Sequence, residues 1–233
     1  MVEAGSVALL GHNCAFGRLP GSEVALIAAA SRMRTFRKGE VVFHRGDPAD
    51  VLHVVCHGTL KVVLTSTYGR DVVLAILGPG DLFGELALLD DQPRSATVIA
   101  LEEVETAALG RVEFWSLLRR SPAAAEGLLA ALARTIRRNT ETVSDLICGD
   151  VYARLAKALL ELARTHGRPA LGGVMLMAPL TQNDLSNMVG ATRSSVNKAL
   201  GVFEDLGLLR RGRRIVLMDI CQLRIRADAG CSG

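Results

Sequence analysis

The sequence predicts an α+β chain in three parts: an N-terminal jelly roll, one long pairing helix, and a C-terminal helix pair followed by a β-ribbon. Three patterns predict it. Short β-rich runs broken by Gly, Asp and Pro fill residues 36–109. An unbroken helix-forming stretch with an apolar heptad row fills 122–148. From Thr181 onward, a capped helix, a glycine turn and a second capped helix follow one another.

The composition allows one or two ordinary cores: 233 residues, 49% of them apolar and 22% charged. Aromatic residues, at 4%, are too few for a platform that stacks single-stranded nucleic acid. Glu3 stands where the basic start of a signal peptide would be, and no window approaches 18 uncharged apolar residues. No membrane span and a cytoplasmic location are therefore expected. The five cysteines (Cys14, Cys56, Cys148, Cys221, Cys231) are odd in number and lack C-x-x-C spacing, which fits reduced thiols better than a disulfide frame or a zinc site.

In chain order, residues 1–20 read as an irregular tail. Ser22 is placed to cap a short helix, EVALIAAASRM, which ends before the basic run TFRKGE. The runs EVVFH, VLHVVCH, TLKVVLTS, RDVVLAIL, SATVIALE and ETAAL come next. Turn signals part them at Arg45-Gly46-Asp47-Pro48, Gly58, Tyr68-Gly69 and Gly78-Pro79-Gly80. A sandwich of such strands can hold a small molecule. Arg111–Leu118 reads as a helix packed on it.

The long stretch 122–148 has no internal proline after its first residue and would run roughly 40 Å at 1.5 Å per residue. Its a/d row is Ala125, Leu129, Leu132, Ile136, Asn139, Val143 and Leu146, the seam of a coiled-coil homodimer. A seam asparagine either fixes register or, with Thr140, faces a ligand at the dimer axis. Gly149 breaks the helix and Asp150 is placed to cap the next one, VYARLAKALLELARTHG.

Beyond a short strand at VMLMA, whose Met175 and Met177 read as packing residues, Thr181-x-x-Asp184 forms a capping box. Gly190 makes the turn, and Thr192 caps a helix over 193–206. On that second helix Ala191, Val196, Leu200 and Phe203 form the inward stripe. Arg193, Ser194, Ser195, Asn197 and Lys198 are left for a DNA major groove. LLRRGRRIVLMD then makes a wing with four arginines at its tip. Residues 151–233 hold twelve basic against six acidic residues, whereas 1–150 hold fifteen against eighteen. A basic end on an acidic body points to a polyanion partner, here double-stranded DNA.

One break in the strand rhythm carries chemistry: GPGDLFGELALLDDQPRSA, residues 78–96. A strand and a glycine turn lead into a short apolar helix, expected over 85–89, whose N-terminal N–H groups favour an anion. Arg94 offers a planar fork for a phosphate and Ser95 a hydroxyl donor. Glu85 beside them suits a ligand that also carries a sugar hydroxyl. The plainer alternative pairs Arg94 with Asp90 or Asp91 at the surface. GPGDLFG is not a dinucleotide fingerprint, because its third glycine is one residue late and no βαβ unit surrounds it. The five histidines form no ligand cluster, and no nucleophile, base and orienter assemble, so neither a metal site nor an enzyme is expected.

FGELALLDDQPRSATV resembles the phosphate-binding cassette of the CRP/FNR family of bacterial transcription regulators. LTQNDLSNMVGATRSSVNKAL resembles that family's helix-turn-helix. The resemblance covers roughly residues 22–227. It implies a double-stranded β-helix sensor over 1–110, a helix pair with the dimerisation helix over 111–149, and a winged helix-turn-helix over 150–233. It also implies that Gly84 and Glu85 meet the ribose of a cyclic nucleotide, most simply cAMP, while Arg94 and Ser95 hold its cyclic phosphate. Leu86 and Ala96 flank them, Val62 and Leu74 line an apolar wall, and Asn139 and Thr140 reach the base. Thr181, Gln182 and Thr192 would lie near DNA phosphates, with Arg193, Ser194 and Lys198 at base-reading positions. RNA polymerase would be a further partner. Ser194 departs from the acidic residue common in the cAMP-responsive branch, and Cys14 alone does not make the cysteine cluster of the oxygen-sensing branch. The alternatives are a member acting without ligand or with another effector, or a cyclic-nucleotide module acting on a protein partner.

Overall fold

The structure, a computed structural model, describes residues 21–66 and 69–229. The expected N-terminal tail, Tyr68 of the expected turn, the side chain of Ser22 and the thiols of Cys14, Cys148 and Cys231 lie outside that description. The chain divides into two compact units. The first comprises residues up to Leu64 and Ala75–Arg137; the second comprises Thr65–Leu74 and the chain from Arg138 onward.

The described chain begins with α1 (Gly21–Ala30) and β1 (Arg32–Phe36). It continues through β2 (Val41–Phe43), β3 (Val51–His57), β4 (Leu60–Thr65), β5 (Asp71–Leu77), β6 (Leu82–Phe83), α2 (Leu86–Leu89), β7 (Thr97–Ala100) and β8 (Val104–Gly110). The strands form two four-stranded sheets, β1-β8-β3-β6 and β2-β7-β4-β5, in the order of a jelly roll. Val55, Leu60, Leu77, Phe83, Val98, Ala100 and Val104 form the core between them. On β3 the alternate residues Leu52 and Val54 join a second core with Val24 and Ile27 of α1, Leu88 of α2 and Phe114. Both faces of β3 are thus covered, which is why VLHVVCH reads as a continuous apolar run.

Two expectations are corrected here. The helix expected over EVALIAAASRM ends at Ala30, because Arg32–Phe36 pairs antiparallel with β8, Arg32 opposite Ala108 and Phe36 opposite Val104. The helix expected over 85–89 is a single turn, Leu86–Leu89, with Glu85 at its cap making no side-chain capping bond.

The strands lead into α3 (Arg111–Arg120), which buries Phe114 completely, and then α4 (Pro122–Cys148). On α4 the seam residues Leu129, Ile136 and Val143 remain 65%, 65% and 56% exposed in the single chain.

In the second unit α5 (Val151–His166) is capped by Asp150, whose carboxylate accepts from the Ala153 N–H at 2.7 Å. There follow β9 (Gly167–Ala170), β10 (Gly173–Leu176), α6 (Gln182–Val189), α7 (Arg193–Asp205), β11 (Leu209–Arg210), β12 (Val216–Leu217) and α8 (Ile220–Ala229). The sheet order is β11-β12-β10-β9. Leu155, Leu159, Leu185, Val196, Leu200 and Phe203 fill the core beneath the two helices. Helix α8, absent from the sequence reading, packs along α5 and buries Leu223.

Candidate nucleotide and DNA sites

In the first unit the turn after β6 and the strand entry before β7 bring Gly84, Glu85 and Arg94 together. Arg94 is turned inward and only 4% exposed. Its Nη1 donates to the Gly84 carbonyl at 2.7 Å and its Nη2 to the Val51 carbonyl at 2.6 Å. Its guanidinium also lies 4.1 Å from the centre of the Phe43 ring, a cation–π contact. Neither Asp90 nor Asp91 holds it; Asp91 pairs with Arg111 instead. The surface alternative for Arg94 is therefore not realised.

Any side chain in place of Gly84 would strain this turn. Its φ is +82°, and a Cβ there would sit 2.5 Å from Arg94 Nη1. Glu85 is half-buried, and burial pushes its carboxyl pKa up, with the Arg94 cation pulling the other way. Burial likewise lowers the Arg94 pKa, against the pull of Glu85, Asp47 and Asp50. A guanidinium carries five N–H donors. Two are spent on carbonyls, and the buried Nε has no partner at all. Three donors remain for an anion, with a desolvated carboxylate beside them for a hydroxyl. These residues fit a phosphate ester of a sugar.

The other expected ligand residues are placed as follows. Ser95 is exposed and Ala96 buried at the entry to β7; Leu86 is exposed on α2; Val62, opposite Val98, is half-buried on β4. Leu74, Asn139 and Thr140 are exposed and belong to the second unit. Sequence reasoning missed Phe43 and the Val51 carbonyl, since the pairing that brings them to Arg94 spans about half of the jelly roll.

In the sequence His53 is one more residue of the run VLHVVCH. It is buried beside this site, stacked on Phe83 with centroids 5.1 Å apart, its Nδ1 3.0 Å from the Thr106 hydroxyl. Burial first, then the cations of Arg94 and Arg34, lower its pKa from 6.5 to about 4. It is neutral at physiological pH. Among the described residues no group of His, Cys, Asp or Glu is arranged to hold a metal ion, and no helix is long and apolar enough to cross a membrane.

The DNA candidates lie on α6 and α7. Thr181 closes a complete capping box with Asp184: its hydroxyl accepts from the Asp184 N–H, while its own O–H and N–H both donate to Asp184 Oδ2 at 2.6 and 2.9 Å. Its donors are thus committed inside the box. Gly190, at φ +61°, supplies the left-handed turn. Thr192 caps α7, accepting from the Ser195 N–H at 3.1 Å, and its hydroxyl meets those of Ser194 and Ser195. Arg193, Ser194, Asn197 and Lys198 are exposed along α7, and Ser195 is half-buried.

Gln182 links the two helices, accepting from Arg193 Nε and donating to Asn197 Oδ1, each at 3.3 Å. On the ribbon the four arginines divide. Arg211 pairs with Glu204 at 2.6 Å and reaches Asn197, and Arg214 bonds the Met177 carbonyl. Arg210 and Arg213 are exposed.

Residues 33–121 match the family described as a cyclic nucleotide-binding domain, and residues 153–226 match the Crp-like helix-turn-helix domain. The chain is 36% identical to the CRP-like cAMP-activated global transcriptional regulator of Mycobacterium tuberculosis, over 91% of this chain and 96% of that protein. It is 33% identical to the cyclic AMP receptor protein of Thermus thermophilus, over 84% and 88%. A solved CRP-family transcriptional regulator from Thermus thermophilus superposes with a TM-score of 0.71 at 27% identity, covering 85% of this chain and 98% of that one. A jelly roll with a buried arginine, a long seam helix, a capped helix-turn-helix and these matches across nearly the whole length have one common source: the chain belongs to the CRP/FNR family of DNA-binding transcription regulators, a family of regulators and not of enzymes.

Proposed function

We propose that this chain works in the cytoplasm as a homodimer that binds a near-palindromic duplex under control of cAMP and acts through RNA polymerase. The sensor spans 1–110, the helix pair 111–149 and the DNA-binding part 150–233. The observation that carries the reading is Arg94: a buried guanidinium with donors to spare, one of them unpartnered, beside a desolvated carboxylate, in a segment that matches cyclic-nucleotide-binding domains. Arg94 and Ser95 take the cyclic phosphate, Gly84 and Glu85 the ribose, and Val62, Leu74, Leu86 and Ala96 surround the nucleotide. Asn139 and Thr140 meet the base at the dimer axis. Thr181, whose donors stay inside the capping box, Gln182 and Thr192 lie near phosphates, while Arg193, Ser194, Ser195, Asn197 and Lys198 face the groove. The two relatives are themselves named for cAMP.

Ligand control requires that cAMP bind one arrangement of the dimer better than the other; the shift can be no larger than that difference. One observation favours a second reading, a regulator that needs no ligand: Arg94 already satisfies two backbone carbonyls. A single experiment separates the two. DNA binding is measured over a salt series with and without cAMP. Affinity that rises with cAMP, and whose logarithm falls linearly with the logarithm of salt, is the expected result. Equal affinity in both arms supports the ligand-independent regulator, and no binding at low salt overturns both.

A further inference from the structure

We propose that Arg211 on the ribbon locks Asn197 as a donor-only reader of the major groove and so sets which base pair it selects. The inference rests on the DNA-binding reading and deepens it. An arginine has donors and no acceptor. The atom of Asn197 that meets Arg211 Nη1 at 3.0 Å is therefore its amide oxygen, Oδ1. The same logic orients Gln182: Arg193 donates to its oxygen, which leaves its NH2 to donate to the same Asn197 oxygen at 3.3 Å. Arg211 is itself held by Glu204, which accepts from its Nε at 2.6 Å and from its backbone N–H at 3.0 Å. Both bonds that reach Asn197 end on its oxygen, one from the Arg211 cation and one from the NH2 of Gln182, which Arg193 orients. The two lone pairs of Asn197 Oδ1 are both used, and the side chain, exposed on α7, has only its NH2 left.

Elsewhere an asparagine reads adenine by donating to N7 while accepting from N6. Asn197 cannot accept, so that bidentate pair is closed to it. Guanine, which presents two acceptors, N7 and O6, suits the NH2 best; thymine offers O4; cytosine presents an opposing donor. The ribbon thus shapes specificity through a residue that touches no base, and Arg211 is a positioning residue.

The test is selection from a randomised duplex pool, with cAMP present and salt fixed, by the wild type, Arg211→Ala and Asn197→Asp, each checked for native circular dichroism. At one position per half-site the wild type should select guanine over adenine by about tenfold. Arg211→Ala should cut that ratio at least about threefold by freeing the oxygen for adenine N6, leaving the other positions unchanged. Asn197→Asp, an acceptor only, should reverse the choice toward cytosine, and it decides the matter if Arg211→Ala does not fold. Identical base frequencies for wild type and Arg211→Ala, or wild-type selection of adenine at the position that Asn197→Asp alters, would overturn the proposal. If the wild type enriches no sequence at all, the DNA-binding reading fails first.

Discussion

Arg94 has two roles that a substitution disturbs together. It is the proposed phosphate anchor, and it also satisfies the Gly84 and Val51 carbonyls inside the jelly roll. Arg94→Leu should abolish cAMP heat in calorimetry while leaving two buried acceptors unpaired, at about 1–3 kcal/mol each in urea unfolding. Wild-type affinity in the folded variant would remove Arg94 from the site. His53 nearby predicts a pH response. Its folded pKa, about 4, lies below the ordinary 6.5, so between those values the unfolded chain takes up a proton that the folded chain refuses. Stability is therefore flat above about pH 6.5 and falls as pH drops toward 4, by about 2 kcal/mol between neutral pH and about pH 5 from this group. In His53→Gln that increment should vanish. An unfolding free energy that falls as much in the variant as in the wild type over this range would show that His53 does not titrate as its burial requires.

At the level of elements, legibility follows how local the determinants are. The Thr181–Asp184 capping box, the Gly190 turn and the Asp150 cap are visible in sequence because each is closed by residues three or four apart. The long helix is visible because its row repeats within itself. Strand β1 is not, because Arg32, Met33 and Arg34 are all exposed, and a basic, unpatterned run becomes a strand only by pairing with β8 some seventy residues later. Helix α8 escapes notice because Ile225 is exposed and RIRADA carries no apolar row. The candidate site divides in the same way. The run of Gly84, Glu85, Arg94 and Ser95 is readable as a motif. The inward turn of Arg94 depends on a carbonyl 43 residues away, and the Arg211–Asn197 contact on one 14 residues away; neither leaves a trace in the local pattern.

For the whole molecule the decisive feature is the exposed row on α4. Leu129, Ile136 and Val143, each more than half exposed on one helix, leave an apolar row interrupted at Asn139, and the proposed cover for it is the same row of a second copy. Two copies carry two recognition helices, and a two-fold pair suits half-sites one helical turn apart, about 34 Å. Pairing then governs affinity, because the second half-site is bound from a high effective concentration. Leu129→Glu places a carboxylate against its own twin in the seam, where two like charges would have to be desolvated. The variant should sediment as a monomer at micromolar concentration. It should bind a full operator about a hundredfold or more weaker than the wild type and a single half-site equally well. A variant that stays dimeric, or a monomer that holds the full operator at wild-type affinity, would mean that α4 is not where the two copies meet.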